Sequence, residues 1–242
     1  MTSILNLEHY NTLVFDCDGV LINSNTIKTQ AYFDTAKTLG ASDADATALM
    51  TYHIQLGGIS RYHKFDYYLR EILHQAVSAP ALDALLTTFT QQLEHGLLNC
   101  ELAIGLDRLR ACTRHLRWMM VSGGDERELN WLFTQRGIAT WFDGGIFGSP
   151  ANKHEILQRE RRRGNLVLPA LFIGDSKYDF EAASNAGIDF VFLSAWSEVD
   201  NWQDYCAKQG IAVRKDIQDL LDRSLQDSTS NNAVSQTKTY KN

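Results

Sequence analysis

The sequence predicts an α/β fold, a doubly wound parallel sheet interrupted after its first strand by an inserted α-helical cap. Three observations predict it. Short apolar runs at 13–15, 116–121, 142–147, 170–173 and 189–193 have the length and composition of strands. Helical patterns separate the later runs, and that alternation implies a parallel sheet with helices packed on it. Between Asn25 and Asn99 nothing has the pattern of a strand. The expected organisation is a core of residues 1–24 and 100–225, a helical cap of 25–99, and a disordered tail of 226–242. The tail is rich in Ser, Thr, Asn and Gln and poor in large apolar residues, so it has little to bury.

The first strand, Leu13 to Phe15, ends in Asp16-Cys17-Asp18-Gly19. An unpaired carboxylate is costly inside a strand, so both acids belong just past its end. Ligands bind at that end of the strands in open α/β sheets. Gly19 permits a tight bend that turns both acids toward one ligand. Taken alone, the stretch fits a capped turn equally well.

Asn23 to Asn25 is a polar hinge, and Gln30 to Leu39 is a helix stopped by Gly40. A short helix is expected over Ala41 to Thr51, and Gly57-Gly58 breaks the chain. Arg61 to Leu73 carries Phe65, Tyr68, Leu69 and Ile72 at helical spacing. Pro80 opens a helix whose apolar face is Leu82, Leu85, Leu86, Phe89 and Leu93. Leu106 to Arg114 is the first helix after the insert. The strand Leu116 to Val121 ends at Ser122-Gly123-Gly124, and Asp125 can cap a helix over Glu126 to Arg136. Phe142 to Phe147 is a short strand, followed by a helix from about Asn152. The strand Ala170 to Ile173 ends at Gly174-Asp175, and a helix through Glu181 to Ala186 stops at Gly187. Asp189 to Leu193 is the last clear strand.

The bulk numbers exclude some functions. With 44% hydrophobic and 21% charged residues, 242 residues suffice for a sizeable core. A formal net charge of -6 argues against a nucleic-acid partner. No run is long enough to cross a bilayer, and Met1 to Tyr10 lacks the apolar core of a signal peptide. Cys17, Cys100, Cys112 and Cys206 are scattered, which suits reduced thiols in a cytoplasmic protein. The seven histidines show no ligand spacing, and none is given a catalytic role.

Adjacent strand ends would bring Asp16, Asp18, Ser122, Asp175 and Asp179 together, with Lys153 at a helix start. Asp175 and Asp179 are four apart, which would place them on one helix face. Two like charges 4 Å apart repel by about 4 kcal/mol at an effective dielectric near 20, so such a pocket needs a cation. An all-oxygen ligand set suits Mg2+, and no His or Cys cluster favours zinc. Singly, each residue has an ordinary explanation. Ser122 can be a helix-start residue, Lys153 a solvated lysine, and Asp179 a carboxylate favoured by a helix dipole.

Together the motifs resemble those of the haloacid dehalogenase-like hydrolases, in the capped phosphatase branch that includes phosphoglycolate phosphatase and beta-phosphoglucomutase-like proteins. Asp16-Cys-Asp18-Gly-Val-Leu is similar to the first motif, Val121-Ser122 to the second, Lys153 to the third and Gly174-Asp175-Ser-Lys-Tyr-Asp179 to the fourth. The resemblance spans Thr12 to Ser194 and implies a Rossmann-like core and a Mg2+-dependent phosphomonoesterase. It implies that Asp16 attacks phosphorus and that Asp18 passes protons to and from the reacting oxygens. Ser122 and Lys153 would hold the phosphoryl group, with Gly123 beside them on the substrate. The metal would be held by Asp16, the Asp18 carbonyl and Asp175, with Asp179 acting through water or orienting Lys153.

The substrate expected is a small phosphorylated metabolite, such as a sugar or sugar-acid phosphate, for a monomer or homodimer. Arg61, Lys64 and Lys28 are the cap candidates for a second anion, although Arg61 and Lys64 equally suit a solvated basic helix face. Asp18 disfavours a dehalogenase, which usually lacks that acid. A mutase tends to carry His where Lys28 stands. Phosphonate cleavage would require a cap lysine that forms a Schiff base, and Lys28, Lys37 and Lys64 are present. A non-catalytic binding protein that kept the fold is the alternative from another class. Asn23 stands where many relatives have Asp, and Gly123-Gly124 after Ser122 implies a loop geometry of its own.

Overall fold

The computed structural model describes residues 5–224, so the expected tail lies outside the described residues. Its centre is strand β1 (Thr12–Phe15), buried along its whole length. Helices α1 (Asn25–Thr38), α2 (Asp43–Gln55), α3 (Arg61–Tyr67) and α4 (Ala79–Asn99) follow with no intervening strand. Then come α5 (Leu106–Cys112), β2 (Arg117–Asp125), α6 (Glu126–Gln135), β3 (Ile146–Ser149) and α7 (Lys153–Arg162). The chain continues through β4 (Ala170–Gly174), α8 (Lys177–Ala186), β5 (Asp189–Leu193), α9 (Trp202–Gln209) and β6 (Ala212–Arg214).

Among the described residues the six strands pair in parallel, in the order β3-β2-β1-β4-β5-β6. The order reverses between β1 and β4, the topological switch where open α/β sheets bind ligands. Register sets the site. Phe15 is level with Met120 and Ile173, so Asp16 emerges beside Val121 and Gly174. Successive side chains of β1 serve opposite faces. Leu13 and Phe15 join one core, and Val14 joins a second with Met119, Phe172, Ile156 and Ala182.

The insert is built on aromatic packing. Tyr32 of α1 lies 4.3 Å from Phe89 of α4 and 5.3 Å from Phe65 of α3 between ring centroids. The helix expected over Arg61 to Leu73 changes pitch, because α3 passes into a π-helical turn over Tyr68–Ile72.

Three strand expectations need correction. β2 runs on to Asp125 with a register shift after Val121, so the Ser122-Gly123-Gly124 segment is irregular strand rather than a following loop. β3 starts at Ile146, because Phe142 to Gly145 forms a turn in which the Gly145 N–H donates to the Phe142 carbonyl at 2.8 Å. A sixth strand, β6, follows β5; three residues are too few to show a strand pattern.

Candidate active site

The loop after β1 is a compact turn. Asp16 donates its N–H to the Ile173 carbonyl at 3.0 Å, and Leu21 and Ile22 donate to the Cys17 carbonyl at 2.9 and 3.1 Å. Gly19 has φ +75°, and a Cβ there would meet the Asp175 carboxylate and the Asn25 amide. Only glycine lets these three segments approach so closely. The Asp18 side chain turns away from the neighbouring acids. It accepts from Ser24 Oγ at 2.5 Å and from Lys28 Nζ at 2.6 Å.

Asp16, Asp175 and Asp179 offer carboxylate oxygens that all lie within 4.8 Å of one another. A shared helix face is not the reason, since Asp175 precedes α8. Asp179 is the third residue of that helix and closes a capping box with Ser176. Its Oδ2 accepts from the Asp175 N–H, the Ser176 N–H and Ser176 Oγ, at 3.2, 3.1 and 2.7 Å. Its Oδ1 accepts from Lys153. Lys153 opens α7, and its side chain is wholly buried rather than solvated. Its Nζ also lies 2.8 Å from Asp16 Oδ1.

The electrostatics follow from burial and spacing. Burial pushes Asp16 up to about 7 despite Lys153, with Asp179 and Asp18 adding repulsion. Burial likewise raises Asp175, helped by Asp16 and Asp179. Burial alone would drive Lys153 down, but Asp16 and Asp179 hold it charged above its ordinary range. Burial alone would raise Asp18, yet Lys28 and Ser24 bring it below the usual carboxylate value. One lysine does not balance three clustered carboxylates. The excess negative charge and the all-oxygen donor set fit a hard divalent cation.

Asp16, Asp18 and Asp175 of the core open on a cavity of about 430 Å³, lined from the insert by Lys28, Arg61 and Lys64, while Asp179 lies beneath it. The solvated-face alternative for Arg61 and Lys64 is overturned, because both are buried. Arg61 is engaged by both oxygens of Glu128, with Nη1 to Oε2 at 2.9 Å. Lys64 Nζ lies 2.7 Å from His53 Nδ1. Of the three lysines considered for Schiff-base chemistry, Lys28 and Lys64 are buried, while Lys37 is exposed and pairs with Asp43. Ser122 is fully buried, and its hydroxyl accepts from the Gly124 N–H at 3.0 Å. Gly123 lies against the insert, where a Cβ would fall 2.8 Å from the Gly58 carbonyl carbon and nearer still to its oxygen.

Sequence reasoning passed over several residues that shape this site. Asn25 donates to Asp175 at 3.1 Å and to the Trp196 carbonyl at 2.8 Å. His53 is buried against Tyr32, at 4.4 Å between ring centroids. Glu128 holds Arg61, and Glu198 accepts from Thr29 at 3.2 Å. Their partners lie on other elements, so no local spacing announces them.

The model of the haloacid dehalogenase-like hydrolases matches residues 10–187. The chain belongs to this family. No curated protein matches the sequence. Solved structures of similar shape support the fold of the hydrolase. A predicted phosphatase from Clostridium acetobutylicum superposes with TM-score 0.69 at 15% identity, over 90% of this chain and 99% of the other. A predicted phosphoglycolate phosphatase from Haemophilus somnus gives 0.67 at 18% identity, over 90% and 99%. A hydrolase from Pseudomonas syringae gives 0.66 at 18% identity, over 88% and 96%. Among the described residues, no helix of this hydrolase is long and apolar enough to cross a membrane.

Proposed function

We propose that the chain is a Mg2+-dependent phosphomonoester hydrolase that acts on a small phosphorylated metabolite, a sugar or sugar-acid phosphate. The observation that carries this reading is the buried carboxylate cluster, bridged by Lys153 and opening on one small cavity. Residues 25–99 serve as its cap. The carboxylates of Asp16 and Asp175, with the Asp18 carbonyl, would hold the metal. Bound there, Mg2+ would offset their charge and polarise the phosphoryl oxygens. Asp179 is engaged by Ser176, the Asp175 N–H and Lys153, so its part is to position Lys153.

Asp16 attacks phosphorus in line as the ester P–O bond breaks, and forms an aspartyl-phosphate. Asp18 acts as the acid in its protonated form, taking up from solvent the proton it gives to the departing oxygen, then takes a proton from the water that cleaves the acyl phosphate and restores Asp16. Ser24 and Lys28 fix the Asp18 rotamer for both transfers. Ser122 and Lys153 supply donors to the phosphoryl oxygens as charge moves. Phosphate release from a panel of phosphorylated sugars and sugar acids, with Mg2+ or with EDTA, tests the reading. Turnover that needs Mg2+ and is lost in Asp16→Asn supports it. A folded, Mg2+-loaded protein that releases no phosphate from any member, or from an aryl phosphate, refutes it.

A further inference from the structure

Four buried cations surround or underlie the cavity, whose exposed rim also carries Lys177, and three of the four are matched by carboxylates. Lys153 lies between Asp16 and Asp179, Lys28 pairs with Asp18, and Arg61 is clamped by Glu128. Lys64 differs. Among the described residues, no carboxylate lies within ion-pair distance of its Nζ. Its neighbours are His53 Nδ1 at 2.7 Å and the face of Tyr32, 5.5 Å from the ring centroid. An N–H from Lys64 into Nδ1 leaves the imidazole proton on His53 Nε2, which is buried without a partner. The Lys64–His53 pair is thus rich in donors and lacks an acceptor, on the insert side of a cavity whose core side is set up for a phosphoryl group. A buried ammonium without a counter-ion is unfavourable, and a ligand that brings one is correspondingly favoured.

We propose that Lys64, positioned by His53, binds a carboxylate that the substrate carries away from its phosphoryl group, so that the substrate is a phosphorylated acid rather than a phosphorylated polyol or neutral sugar. This rests on the phosphatase reading and narrows it. Arg61 and Lys28 are excluded from the role because their charges are already matched. The pH dependence is a signature of the assignment. Burial pulls the Lys64 ammonium down to about 7; Lys28 and Lys153 repel it, while Asp18 and Glu198 offset part of the shift. His53 and Tyr32, which also face it, remain neutral. Burial, Lys64 and Lys28 hold the imidazole down to about 2, and burial raises the phenol. Selectivity for an acid therefore weakens as pH rises above 7.

The test compares matched pairs that differ only in a carboxylate against a hydroxymethyl group: 6-phosphogluconate with sorbitol 6-phosphate, and 3-phosphoglycerate with glycerol 3-phosphate. The readout is the ratio of kcat/KM within each pair. Wild type is expected to favour the acid of at least one pair by about tenfold or more at pH 6.5, the selectivity of a charge-assisted hydrogen bond. That ratio falls between pH 7 and 9, and Lys64→Met brings it close to one. Lys37→Met, on the outer surface of the insert, keeps the wild-type ratio. A wild-type ratio near one, a ratio that Lys64→Met preserves, or a ratio flat in pH overturns the assignment. If Lys64→Met does not fold, the wild-type pH profile decides. If neither pair is hydrolysed, calorimetric binding of the same compounds to the Mg2+-loaded protein decides the assignment, while the wider panel and an aryl phosphate decide the phosphatase reading separately.

Discussion

Replacing Gly123 with Ala tests how the insert and the core meet. The backbone at Gly123 is not left-handed, so an Ala there carries no local strain. The conflict lies across the interface. A Cβ would stand 2.8 Å from the Gly58 carbonyl carbon and 3.3 Å from that of Ile59, both backbone atoms on the insert. Carbon atoms in favourable contact are 3.5–4.0 Å apart, so the Gly58 loop must retreat by roughly 1 Å. Arg61 and Tyr62 begin two residues beyond Ile59, and they carry the Glu128 and Asp125 contacts. A 1 Å displacement there lowers kcat/KM by about a hundredfold, because catalytic geometry is that sensitive to position. Gly124→Ala is the control, since its Cβ would meet only side-chain atoms, 3.3–3.4 Å away on Leu129 and Ser122. Steady-state kinetics and a urea melt of both variants provide the assay. Equal activity in the two variants would refute the reasoning, and so would a Gly123→Ala loss explained by global unfolding.

Asp16→Asn is expected to lower kcat by about three orders of magnitude or more while the fold persists, as for removal of a nucleophile; circular dichroism alongside phosphate release checks both halves. Lys153→Met leaves the buried carboxylates of Asp16 and Asp179 without their shared cation, so it should destabilise the protein by about 3–5 kcal/mol. Mg2+ should recover part of that loss in a urea titration, and a variant as stable as wild type without metal would contradict the ion-pair account. Mg2+ at about a hundred times its Kd should stabilise wild type by about 2.7 kcal/mol, which EDTA abolishes. His53 is held down to about 2 when folded, against about 6.5 in an unfolded chain. The unfolded state therefore takes up the proton first as pH falls, and stability is lost below 6.5. Between pH 7 and 5 the loss is about 2 kcal/mol, and His53→Gln should lack it. Urea midpoints of the two proteins that run parallel in pH would exclude this.

The legibility of the sequence follows the range of the interactions involved. Asp16, Asp175 and Lys153 could be found because strand ends are marked locally, by an apolar run followed by a polar residue. Parallel pairing then brings them together without further information. Asp125 as a helix cap and Gly187 as a helix stop were equally local, and both have those roles. The insert was different. Its helices could be placed from spacing, but the surroundings of Arg61 and Lys64 depend on Glu128 in α6 and His53 in α2. Neither is a neighbour in sequence, so a buried ion pair and a solvated basic face gave the same local pattern. The Gly57-Gly58 and Gly123-Gly124 pairs were visible as breaks, yet their use lies in the approach of one backbone to the other.

The placement of the insert and the electrostatics of the site are one problem. Asn25, Lys28, Thr29, Arg61 and Tyr62 of the insert hydrogen-bond Asp175, Asp18, Glu198, Glu128 and Asp125 of the core, respectively. Seating the insert strips water from these carboxylates, which is unfavourable unless each gains a donor. Asp18 shows the consequence most clearly. Burial would raise it, and Lys28 above all, with Ser24 and Lys153, brings it below its ordinary value. Moving α1 away would therefore remove both the dry environment and the ammonium together. Asp18 thus takes its burial and its counter-ion together from the seated insert, so the placement of the insert and the charge at this end of the sheet are coupled.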